Sequence, residues 1–156
     1  MAFLLSFLLG FVDGLRSMTA PAIVCWAAHF GWLHFAGTKF AFIDHRSTLL
    51  VFTLLAMIEL VLDKLPNTPA RTAAVGLTAR IVLGGASGLA LATGSGISMS
   101  LPLAGVIAPI GAIAGAFAGY HIRHAVVLRA HVPDFVAAIA EDAITIAGGL
   151  LIVSHI

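Results

Sequence analysis

Five carboxylates stand where an apolar chain does not tolerate idle charge. Glu59 falls inside the run Leu54-Leu55-Ala56-Met57-Ile58-Glu59-Leu60-Val61-Leu62, and Asp63 follows four residues later on the same helical face. Glu141 and Asp142 interrupt a second apolar run, and Asp13 closes the first. Arg80 lies deep in a third, and Arg16 is three residues beyond Asp13. Ionisable groups inside apolar spans are costly, so each is a functional candidate by default. A buried carboxylate can exchange a proton near neutral pH, or supply, with Thr145, the oxygen ligands that a hard cation prefers. We therefore expect Glu59, Asp63, Glu141, Asp142 and Asp13 to bind an ion or proton. Pairing of Arg80 with Glu59 or Glu141 is the competing, purely structural account.

A second pattern involves hydroxyls and prolines. Ser17-Met18-Thr19-Ala20-Pro21 recurs 81 residues later as Ser98-Met99-Ser100-Leu101-Pro102, and each copy opens an apolar helix. Thr19 and Ser100 fit N-cap positions, with the prolines in the first turn. A helix start inside a membrane presents free N–H groups and a positive dipole end, a setting for an anionic group. Arg16 strengthens the first copy; Ile97 stands at the matching place in the second. Arg16, Ser17, Thr19, Ser98, Ser100 and Arg80 are the expected solute-binding residues.

Other chemistries find little support. No Gly-x-Ser-x-Gly elbow has a usable Asp and His after it, so no catalytic residue is assigned. Gly94-Ser95-Gly96 lacks the Lys of a phosphate loop. The seven His have no zinc spacing, and His121 and His124 read as interface residues. No cofactor is expected, and a metal role stays open. A net charge of +1 is far from the basic field that nucleic-acid binding needs. Cys25 sits in an apolar run and reads as a small buried hydrophobe.

The elements that must position these residues are helices in lipid. The 156 residues are 60% hydrophobic and 10% charged, against about 25% charged in ordinary soluble domains. Apolar runs predict helices at Ala2–Asp13, Thr19–Phe35, Thr48–Asp63, Pro69–Ala92, Ser100–Tyr120 and Pro133–Ser154. The first is short for a span and is read as a retained helix, not a cleaved signal. Thr68-Pro69 and Pro133-Asp134 carry helix-start chemistry. Gly111, Gly115 and Gly119 recur every four residues; such a stripe lets helices approach closely in lipid. It suits packing within the chain or a homodimer face.

The fold expectation is all-α: a single polytopic membrane domain over 1–156, of about six transmembrane helices. A motif offset close to half the chain, and Glu59 matched by Glu141, predict a 3+3 inverted-topology repeat, with repeat one at about 1–66 and repeat two at about 67–156. Arg16, Lys64, Arg71, Arg123 and Arg129 fall on one side of such a bundle, against Lys39 and Arg46 on the other, which predicts a cytoplasmic first side.

The strings Gly14-Leu15-Arg16-Ser17-Met18-Thr19-Ala20-Pro21, Glu59-Leu60-Val61-Leu62-Asp63-Lys64-Leu65-Pro66-Asn67-Thr68-Pro69-Ala70-Arg71 and Glu141-Asp142 resemble those of a family of small bacterial membrane proteins known as a domain of unknown function. The resemblance covers essentially the whole chain. It implies no activity, but it does imply that these strings form the working centre. The expected function is a small transporter or channel for an ion or small solute, embedded in the lipid bilayer of the inner membrane as a multi-pass dimer. Two alternatives stand beside it. One is a lipid-handling protein whose Arg16, Lys64, Arg71 and Arg123 hold phosphate; the other is a structural subunit with all acids paired.

Overall fold

The computed structural model describes residues 2–65, 72–96 and 100–156. Its six α-helices are α1 (Ala2–Leu15), α2 (Thr19–His29), α3 (Arg46–Leu62), α4 (Ala74–Gly94), α5 (Leu101–Arg129) and α6 (Asp134–Ser154). A short 3-10 turn, Ala41–Asp44, precedes α3.

Three of these helices are long and apolar enough to cross a membrane: α4, α5 and α6. The expectation of about six spans is corrected here. α1, α2 and α3 have 14, 11 and 17 residues. At 1.5 Å per residue they reach about 21, 17 and 26 Å, short of the roughly 30 Å hydrocarbon layer. α2 ends at His29, not Phe35, because Gly31 turns the chain at φ 74°. Gly31 N–H then donates to Ala28 O and Trp32 N–H to Ala27 O, which closes the helix with its last carbonyls satisfied. α5 instead runs past Tyr120 to Arg129, with Pro109 inside it.

α1 is the axis of the bundle, packed between α4, α5 and α6. Its closest partner is α5, through glycines on both helices. A Cβ on Gly10 would lie 1.9 Å from Ala108 O, and one on Gly14 2.2 Å from Ala112 O. On α5, a Cβ on Gly111 or Gly115 would lie 2.1 or 2.2 Å from Phe7 O or Phe11 O. This is backbone-to-backbone packing of the kind small residues permit in lipid. It fills the Gly111–Gly115 face from within the chain, and Gly119 is buried as well. Of the two readings of that stripe, packing within the chain is the one seen at Gly111 and Gly115.

Pairings along the seams give the directions. Residues 7 and 11 of α1 meet 111 and 115 of α5, and 10 and 14 meet 108 and 112, so those helices run together. Ser6 meets Gly88 of α4, and the Gly84 position faces Asp13, so α1 and α4 run oppositely. α2 returns from Thr19 to a loop whose His34 N–H donates to Gly94 O. Glu59, near the end of α3, reaches Ser17, and Arg16 reaches Asp142 in the early turns of α6. α1, α3 and α5 thus run one way and α2, α4 and α6 the other. Outward faces are apolar, as at Leu54, Ile58, Val61, Ile110, Phe117 and Ile144.

Candidate functional site

The charged residues gather where α1 stops and α2 begins. Arg16, Ser17 and Met18 form the break, and no side chain of this stretch caps α2. Thr19 is the first helical residue, not the N-cap, so its expected capping role is corrected. The cap comes from α3. Glu59 Oε1 accepts from Ser17 N–H at 2.8 Å and from the Ser17 hydroxyl at 2.6 Å; Oε2 accepts from Met18 N–H at 2.8 Å. A carboxylate at a helix N-terminus meets both the free N–H groups and the positive dipole end.

Arg16 is fully buried. Its Nη1 is 2.5 Å from Asp63 Oδ2 and its Nη2 is 2.5 Å from Asp142 Oδ1, with Glu141 Oε2 at 3.9 Å. These are charge pairs at bonding distance, though the N–H directions are not aligned with the oxygens, and Nε faces no acceptor. Lys64 Nζ donates to Asp142 Oδ2 at 2.6 Å and to Leu60 O at 2.8 Å. Arg123 Nη1 donates to Asp63 Oδ2 at 2.6 Å and lies 3.7 Å from Glu141 Oε2; its Nε and Nη2 bind Asp134 as a two-pronged pair at 2.8 Å. Arg80 donates to Gly14 O and Gly76 O, each at 3.1 Å, and its Nη2 is 3.8 Å from Glu59 Oε1. The pairing of Arg80 with Glu59 is thus part of the arrangement.

Depth follows from register. Arg80 is six residues into α4, Asp142 eight residues into α6, and Arg123 six residues before the end of α5. At 1.5 Å per residue the cluster lies about 9–12 Å inside the ends of the three long helices. The three short helices all begin or end at it. Asp63 lies just beyond the last turn of α3, outside the three long spans. Burial works against its charge, but the Arg16 and Arg123 guanidiniums outweigh burial and hold its pKa below the ordinary carboxylate value.

The structure therefore brings Arg16, Ser17, Thr19, Arg80, Glu59, Asp63, Glu141 and Asp142 together at one end of the bundle. Ser100 is not among them. It occupies the N-cap position of α5 at the opposite end, exposed, and makes no side-chain cap bond. Ser98 and Arg71 lie outside the described residues. Asp13 is one turn below the break, fully buried on the seam with α4.

Reading the sequence placed Lys64 and Arg123 in the lipid-phosphate alternative, not in the acid cluster. Arg123 was hidden because the helix was expected to stop at Tyr120; Lys64 had a signal in its adjacency to Asp63. Ser6 and Ser87, which share the seam with Asp13, carried no sequence signal beyond the seven-residue spacing of Ser6 and Asp13. Between α1, α5 and α6 lies a cavity of about 270 Å³ with walls of Phe11, Leu15, Ile122, Val126 and Ile144, where Arg123 and Glu141 supply the charge.

Comparison with curated proteins and with solved structures finds no match to the chain. One family model, described as a domain of unknown function (DUF4126), matches residues 3–155. With nearly the whole length matched, this helical chain with three membrane-competent helices belongs to the DUF4126 family.

Proposed function

We propose that the protein is a small multi-pass inner-membrane transporter or channel, in which carboxylates at membrane depth bind a proton or cation and the α1–α2 break receives the moving ion or solute. The observation that carries this reading is buried Arg16 at the break, bridging Asp63 of α3 and Asp142 of α6 about 10 Å inside the long helices. Broken helices at depth are tolerated where they line a site, and ionisable groups there are retained for a task.

The same proposal takes the fold as two inverted halves, α1–α3 and α4–α6. Their first helices run in opposite directions, and α2 and α5 start at opposite ends of the bundle. The bilayer is the expected surrounding: the outward faces are apolar, and Trp26, Phe30, Trp32, Phe40 and Phe42 gather at the end opposite the Arg16 cluster, as interfacial aromatics do. A second copy of the chain would have to dock on an outer face, because the glycine stripe is filled.

The lipid-phosphate alternative is weaker, because Arg16, Lys64 and Arg123 are each engaged by carboxylates. A purely structural subunit accounts for the paired acids but leaves Asp13 unexplained. The test is ion flux into liposomes holding the purified chain, driven by sodium, potassium or proton gradients. Glu59→Gln and Glu141→Gln should each abolish the flux while the protein stays folded. Wild-type flux in both variants overturns the role of the cluster.

A further inference from the structure

Three polar side chains on the α1–α4 seam have no hydrogen-bond partner among the described residues: Ser6 and Asp13 on α1 and Ser87 on α4. Ser6 and Asp13 are fully buried, and Ser87 is 3% exposed. Asp13 is the odd one among the acids at this level. Glu59, Asp63, Glu141 and Asp142 each have a cationic nitrogen within 4 Å, whereas both oxygens of Asp13 go without hydrogen bond or ion pair. The groups that act on it are the Ser87 hydroxyl and, at longer range, Glu59 of α3 and Arg80 of α4. α5 faces this stretch with Ala112 and Gly115, which offer no charge.

We propose that Asp13 is the proton-binding group of this protein, a neutral carboxylic acid partnered by the Ser87 hydroxyl, and that its loss of the proton is read by Arg80. This inference rests on the transporter reading above and names its coupling ion.

Two physical comparisons select the proton. An ionised carboxylate with no cation beside it is strongly disfavoured in a buried seam, and taking up one proton removes that charge. The proton comes from water and no other bond changes; the acid then has an O–H to donate to Ser87 Oγ. A metal cation is a poorer occupant, because sodium- or calcium-like ions want about six oxygens. Ser6 is seven residues from Asp13, about 10 Å along α1, and cannot share a shell with it. The surrounding walls are alanine and glycine.

Other polar groups lie along the same stretch. Ser6 and Asp13 lie on one face of α1 two turns apart, and hydroxyls both donate and accept. Ser87 lines a small cavity of about 60 Å³ among α2, α3 and α4 that is otherwise apolar apart from the Cys25 thiol. Asp13 sits between these groups and the charged cluster.

Deprotonation has a structural consequence. A negative Asp13 competes with Glu59 for Arg80, whose Nη2 now stands 3.8 Å from Glu59. Glu59 holds the start of α2 through Ser17 and Met18. Moving the Arg80 charge toward Asp13 changes the hold on that helix, which couples a proton on the seam to the break where solute is proposed to bind.

The experiment uses the full chain in nanodiscs and in liposomes. Infrared difference spectra at neutral pH should show the carbonyl stretch of a protonated carboxylic acid. The band should vanish in the near-isosteric Asp13→Asn and shift in Ser87→Ala, which keeps the acid and removes its partner. A wild-type spectrum with no acid band, or a band unchanged in Asp13→Asn, overturns the inference. Proton flux, followed by an internal pH dye under a potassium diffusion potential, should be lost in Asp13→Asn and retained in Asp13→Glu. An Asp13-dependent band with no flux of any ion sinks the transporter reading and leaves the proton site standing. Sodium or potassium flux that persists without such a band sinks the proton site and leaves the transporter.

Discussion

Glu59 caps a helix to which it does not belong: its Oε1 holds both the N–H and the hydroxyl of Ser17, at 2.8 and 2.6 Å, across 42 residues of chain. This pair ties the end of α3 to the start of α2. It also fixes the α1–α2 break, and through it Arg16, at the depth where Asp63 and Asp142 meet it.

Glu59→Ala should be the most damaging single truncation among the acids. It leaves the Ser17 and Met18 N–H groups without their acceptor and removes the carboxylate nearest Arg80. The expected cost is about 3–5 kcal/mol, the range for breaking a buried charged pair. Glu59→Gln keeps an acceptor and should cost about half of that or less. Denaturant unfolding in detergent would check both; equal losses would show that the carboxylate is not acting as the cap.

Arg16→Met should cost a similar amount, about 3–5 kcal/mol, because Asp63 and Asp142 lose the cation between them. The double variant Arg16→Met/Asp142→Leu should recover part of the loss. A coupling of about 0.5–3 kcal/mol is expected in the double-mutant cycle. Strict additivity of the two substitutions would remove the bridge from the account.

The glycines make opposite predictions at two sites. Gly115→Ala places a Cβ 2.2 Å from Phe11 O on the α1–α5 seam, where backbone would have to move. It should lower stability by about 1–3 kcal/mol or more. Gly148→Ala, on α6, meets nothing within 4 Å. It should be neutral or stabilising by up to about 1 kcal/mol, since alanine favours the helix. Thermal melts of the two variants side by side decide this, and equal effects would contradict the packing of α1 on α5.

Asp63 makes stability depend on pH in one direction. Its folded pKa is held below the ordinary value, so its contribution is fully present above about pH 4, the unfolded value. It is lost as pH falls through the depressed folded pKa. The difference in unfolding free energy between wild type and Asp63→Asn should therefore shrink below about pH 4. A difference that stays constant into that acid range would mean that Arg16 and Arg123 do not stabilise this charge.

Much of the protein was legible in its residues. Apolar runs of helical length specify helices, and an acid inside such a run has to be used or paired; the periodicity and cost of these groups are local properties. That is why the helical class, the strings around Arg16, Glu59 and Glu141, and the pairing choice for Arg80 could be read one segment at a time. The lengths that decide which helices can cross a membrane depended on Gly31, where a single left-handed residue ends α2, and on neighbours that let α5 run on beyond Tyr120. Only the tertiary structure decided that Glu59 and not Thr19 caps α2, that Ser100 stands at the far end, and that Arg123 and Lys64 belong with the acids. It alone packed α1 against Gly111 and Gly115 and left Asp13 with no cation beside it among the described residues. The physical reason is common to all of these. Caps, ion pairs and close backbone contacts here join residues tens of positions apart, and which charge meets which is set by how the helices lie against one another.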